Sequence, residues 1–101
     1  MPDITVEELK RRMDAGEDLF IIDVREPHEY AEFNIGALHI PLGQLPMRLY
    51  DFDEKKDDEV IVHCKSGMRS ASAKALLEQS GFKNVRNLTG GMLEWQMKFP
   101  K

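Results

Sequence analysis

Val60-Ile61-Val62-His63-Cys64-Lys65-Ser66-Gly67-Met68-Arg69-Ser70 is the stretch on which the reading of the whole chain turns. Its apolar, β-branched start has the pattern of a strand covered on both faces, and a helical pattern opens near Arg69-Ser70. The residues between must turn tightly at the carboxyl end of a sheet, where open parallel sheets keep their ligand sites. Gly67 supplies backbone freedom that a loop of this radius needs.

Outward from that stretch the chain alternates. Leu19-Phe20-Ile21-Ile22-Asp23-Val24 reads as a central strand, Val85-Arg86-Asn87-Leu88 as a weaker one before Gly90-Gly91, and residues 35–40 as a short strand ending at Pro41. Thr5 with Glu8 has the form of a capping box and Ile4 with Leu9 that of its hydrophobic staple, so a helix begins there and runs toward Gly16. Helical stretches are also expected over 26–33, 42–50 with Pro46 interrupting or kinking it, 70–80, and 91–99. Ala73, Leu76 and Leu77 share one side of the 70–80 helix, and Gly81-Phe82 has the form of a Schellman stop in which Phe82 meets Leu77. Such alternation predicts an α/β fold in three layers: a mostly parallel sheet of four to five strands, right-handed crossovers, and helices on both faces. The charged run 51–59 reads as a solvated connection without chemistry.

Composition bounds the rest. With 101 residues, 42% of them hydrophobic, the chain has material for one core, so a single domain over 1–101 is expected. A net charge of -4 with both signs dispersed offers no basic footprint for nucleic acid or anionic membrane. No apolar run approaches the roughly 20 residues a bilayer demands, and residues 1–5 lack the basic and apolar regions of a secretory signal, so a cytoplasmic protein is expected. Cys64 is the sole cysteine, which excludes an intramolecular disulfide and a multi-cysteine metal site.

A lone thiol is structural or reactive, and free cysteines are often merely small buried hydrophobes. Here the surroundings favour reactivity. If the turn curls around the sulfur, backbone N–H groups of residues 65–70 point at it, and the following helix adds its positive end. Lys65 and Arg69 add formal charge, and in such settings a cysteine pKa falls from about 8.5 to roughly 3.5–7.5. Cys64 is thus the candidate nucleophile, with Lys65, Ser66, Gly67, Met68 and Arg69 as the candidate anion cradle. Asp23 and Arg25 read as structural pairings, His63 as a satisfied strand histidine, and Trp95 and Met97 as packing.

Cys64-Lys65-Ser66-Gly67-Met68-Arg69-Ser70 resembles the C-x-x-G-x-R-S active-site loop of rhodanese domains. Asp23-Val24-Arg25-Glu26 is similar to that family's D-V-R-E segment. Glu29-Tyr30, Ile35-Gly36-Ala37 and Ile40-Pro41 resemble its E-[YF]-x-x-G-H-I-x-G-A-x-x-I-P stretch, and Gly90-Gly91 with Trp95 its G-G-x-x-x-W. Phe33 and Asn34 stand where the family usually shows Gly and His.

The resemblance implies a rhodanese-type sulfurtransferase that moves sulfur from thiosulfate or a persulfide to cyanide, a thiol or a protein, through a Cys64 persulfide. It implies no metal and no organic cofactor. Arg69 would either bind the donor or hold the loop through a carboxylate. Two rivals are a rhodanese-like module that only binds or regulates a protein, and a cysteine phosphatase or arsenate reductase. Against the latter, four residues separate Cys64 from Arg69, whereas the phosphatase motif is C-x5-R; the shorter ring suits one sulfur better than three phosphoryl oxygens.

Overall fold

The computed structural model describes residues 2–100. Four strands, β1 (Ile21–Asp23), β2 (Leu38–His39), β3 (Glu59–His63) and β4 (Asn84–Asn87), form one sheet in the order β2-β1-β3-β4, every pairing parallel. Four strands thus meet the expectation of four to five, and Ile4 adds only an isolated parallel bridge to Leu88 beyond β4.

Parallel neighbours need crossovers, and α2 (Pro27–Glu32), α3 (Leu45–Arg48) and α4 (Met68–Gln79) lie in them, while α1 (Val6–Asp14) precedes β1 and α5 (Gly91–Lys98) follows β4. The strand period of two divides β3 between two cores. Val60, Val62 and Cys64 join Ile22, Leu45, Ala73 and Leu77 on the face covered by α3 and α4. Ile61 joins Val6, Leu9, Met92 and Trp95 on the face covered by α1 and α5.

Several local expectations hold in detail. The Thr5 hydroxyl accepts the Glu8 amide at 3.1 Å. After α4, Gly81 takes φ +99°, its N–H donates to the Glu78 carbonyl and that of Phe82 to Leu77, the Schellman pattern.

Others need correction. The Thr5 box is one-sided, because the Glu8 carboxylate turns away to Arg86. The reciprocal box stands instead at α2, between Glu26 and Glu29. The 42–50 helix is a 3₁₀ turn followed by α3, with Pro46 inside the first helical turn, where a missing N–H costs nothing. The 51–59 run is not wholly solvated: Phe52 is buried, its ring 5.5 Å from that of Phe20 and 5.6 Å from that of Phe82. Strand β1 is shorter than the apolar run that announces it, and β2 is a two-residue edge.

The departures at 33–36 have a physical account. Asn34 closes α2, its amide donating to the Tyr30 carbonyl at 3.0 Å and its side-chain oxygen accepting the Gly36 N–H at 2.9 Å. Phe33 packs against the α1–α5 core. Among the described residues no helix is long and apolar enough to cross a membrane.

Candidate active site

Strand β3 delivers Cys64 to the carboxyl edge of the sheet, and α4 begins four residues later. Gly67 occupies the N-cap of α4 at φ +101°, a left-handed conformation that a side chain would strain. A glycine cap has no side-chain oxygen to offer the first-turn amides. The sulfur takes that place: Sγ accepts the Gly67 N–H at 3.1 Å and the Ser70 N–H at 3.4 Å, and the Ser70 hydroxyl lies 3.3 Å away.

Cys64 is 1% exposed and belongs to the α3–α4 core, yet the amides turn inward. Burial pushes the thiol pKa up. The Ser70 hydroxyl and the amides of Ser70, Gly67 and Ser66 outweigh it, and the pKa lies below the ordinary thiol value. Hydrogen bonds, rather than the two cationic side chains named from the sequence, carry the shift.

Arg69 is engaged elsewhere, its terminal nitrogens donating to the two Glu29 oxygens at 2.7 and 2.9 Å, forty residues back on α2. That guanidinium holds the Glu29 carboxyl down to about 2. Lys65 and Met68 are exposed at the mouth of the loop, Met68 at 78%. Lys65 also lines an open groove of about 320 Å³ with Arg25, His28, Glu32 and Leu93.

The loop is held from behind as well. Met92 and Leu93, in the first turn of α5, donate their N–H groups to the carbonyls of Cys64 (3.0 Å) and Lys65 (2.9 Å). Gly91 makes this approach possible. Asn87, level with Val62 in the β3–β4 register, donates from Nδ2 to the Gly67 carbonyl at 3.0 Å and accepts the Ser70 hydroxyl at 2.5 Å. Sequence reasoning missed both the Ser70 hydroxyl and Asn87; the residue after Arg69 and a polar side chain on the same strand face as Val85 were the available signals.

Asp23 and Arg25 form a buried pair at the end of β1, Nη2 to Oδ2 2.7 Å, and Arg25 also reaches the Phe33 carbonyl. Trp95 is core, whereas Met97 is 80% exposed and packs little. His63 is not the satisfied histidine expected: it is fully buried, neither ring nitrogen meets a hydrogen-bond partner, and Asp23 Oδ2 stands 3.6 Å off.

Burial drives the His63 pKa from 6.5 to about 4, with Asp23 opposing it. Because the folded-state value is depressed, stability is full above about 6.5 and drains as the pH falls toward 4, where the folded ring also protonates. A shift of that size corresponds to about 3 kcal/mol. Urea midpoints should fall steeply across this window, and His63→Phe should remove most of that slope. An unchanged slope in the variant would assign the acid sensitivity to the carboxylates.

A parallel sheet presenting one cysteine under a loop of inward amides defines a cysteine-loop α/β domain. The chain belongs to the rhodanese-like domain family, whose model matches residues 5–98. A sulfurtransferase of Allochromatium vinosum is 38% identical over 94 residues, covering 92% of this chain and 86% of the relative. The human single-domain sulfurtransferase TSTD1 superposes with a TM-score of 0.85 at 30% identity over 97% of both chains. YrkF of Bacillus subtilis is 40% identical over 99 residues, and this chain spans 52% of its length.

Proposed function

We propose that the chain is a rhodanese-type sulfurtransferase, acting as one domain, in which Cys64 carries sulfur as a persulfide. The observation that carries this reading is the sulfur's position as acceptor for the Gly67 and Ser70 amides at the start of α4. Such donors stabilise a thiolate and then a persulfide anion, without metal or organic cofactor. Relatives named sulfurtransferases, similar over most of their length, support it.

In the proposed first half-reaction the Cys64 thiolate attacks the outer sulfur of thiosulfate. A new S–S bond forms, the S–S bond of thiosulfate breaks, and sulfite leaves with its electron pair. In the second, an acceptor nucleophile takes the outer sulfur and the thiolate returns; cyanide would leave as thiocyanate. A persulfide donor, and a thiol or protein acceptor, fit the same steps.

Lys65, exposed beside the loop, is assigned the capture of an anionic donor, and Ser66, Gly67, Met68 and Arg69 the remainder of the cradle. Of the two roles open to Arg69, its pairing with Glu29 supports the loop-holding one.

Mass spectrometry of protein treated with thiosulfate should show one added sulfur on Cys64, removed by cyanide. No added sulfur at any donor concentration, or faster turnover of an aryl phosphate than of thiosulfate, would overturn the reading.

A further inference from the structure

The Ser70 hydroxyl has one hydrogen and faces two acceptors. Its oxygen lies 2.5 Å from Asn87 Oδ1 and 3.3 Å from Cys64 Sγ. The orientation of the Asn87 amide is fixed by its other end, since Nδ2 meets the Gly67 carbonyl, which only a donor can satisfy. Ser70 and Cys64 are at most 1% exposed and Asn87 8%, so water is a poor substitute for any of these bonds.

With Cys64 protonated, a chain of donors satisfies everyone: the thiol donates to Ser70 Oγ, and Ser70 donates to Asn87 Oδ1. Ionisation removes the thiol hydrogen. The sulfur then needs a donor from Ser70, and the hydroxyl hydrogen can reach it only by leaving Asn87 Oδ1 buried without a partner, which is costly.

We propose that Asn87 is a positioning residue that competes with the Cys64 thiolate for the single hydroxyl hydrogen of Ser70, restraining ionisation that the loop amides favour. The restraint has a use in the sulfur chemistry proposed above, on which this interpretation rests. A thiolate stabilised too far loses nucleophilicity, and the best attacking thiol titrates near the ambient pH. Asn87 thus offsets part of the stabilisation that the start of α4 provides.

A double-mutant cycle separates this competition from mere anchoring of Gly67. The rate of iodoacetamide alkylation is followed against pH for the unmodified chain, Ser70→Ala, Asn87→Ala and the double variant. The charged groups near the loop are Lys65, the Arg69–Glu29, Arg25–Asp23 and Lys74–Asp3 pairs, and on α5 Glu94 with Lys98; His63 adjoins on β3. All are common to the four proteins, so they cancel in the cycle.

Ser70→Ala should raise the midpoint of Cys64 ionisation. Removing Asn87 should favour the thiolate more when Ser70 is present than when it is absent, by about tenfold in the thiolate-to-thiol ratio. An equal effect in both backgrounds, or coupling of the opposite sign, would overturn the proposal. Should Asn87→Ala not fold, Asn87→Val, a strand-favouring side chain without an acceptor, repeats the cycle. Alkylation needs no sulfur donor. Coupling without thiosulfate loading would sink the sulfurtransferase reading alone, and loading without coupling would sink the role of Asn87 alone.

Discussion

Cys64→Ala is expected to reduce sulfur transfer to the rate without enzyme while leaving the fold standing. The sulfur is the proposed covalent carrier, and no other cysteine exists in the chain to replace it. Structurally, the variant loses the acceptor that caps the first turn of α4, a loss of about 1 kcal/mol. It keeps a small side chain in a position that is 1% exposed. Thermal melting should therefore shift by only a few degrees while thiocyanate formation from thiosulfate and cyanide disappears. Retained turnover would remove Cys64 from the mechanism. Lost turnover with unchanged capture of a protein partner would separate a binding role from a chemical one.

Gly91→Ala should destabilise the fold strongly for a single added methyl group. A Cβ at this position would lie 2.6 Å from the carbonyl oxygens of both Cys64 and Lys65 and 2.7 Å from the Lys65 carbonyl carbon. These are backbone atoms and cannot swing aside. Gly91 also has φ +55°, so alanine adds left-handed strain of roughly 1–2 kcal/mol. Either α5 withdraws or the cysteine loop shifts, and both break the bonds from Met92 and Leu93.

A destabilisation of about 3 kcal/mol or more is expected, together with slower alkylation of Cys64 at neutral pH. Gly36→Ala is the control. Gly36 has φ +85° with nothing within 4 Å of the added carbon, so it pays the backbone term alone. Urea denaturation of the two variants side by side decides the matter; equal losses would show that the close approach of α5 to the loop is unimportant.

What the sequence disclosed follows the range of each interaction. The strand–turn–helix around Cys64, the Schellman stop at Gly81 and the Thr5 cap are set by residues within a few positions of each other, and all were legible. Asn87 was not, because only the pairing of β3 with β4 brings it level with Val62 and under Ser70. The role of Arg69 stayed open for the same reason: its partner Glu29 lies on another helix. Phe52 was misjudged because its neighbours are charged, while the 3₁₀ turns around it aim one ring inward. His63 was expected to find a hydrogen-bond partner; its strand is covered on both faces, and Asp23 stops 3.6 Å from the ring.

In a trans peptide the C=O and N–H point in opposite directions. The Lys65 carbonyl is drawn onto the Leu93 amide, so the Ser66 N–H of that same peptide plane is aimed the other way, toward the sulfur that it helps to ionise. Nothing in the Ser66 side chain is required for this. The electrostatics of the reactive atom are thereby steered from the rear of the loop, by a helix whose side chains need never meet a substrate. Changes in how α5 seats would retune the thiol while every residue facing the donor stayed the same.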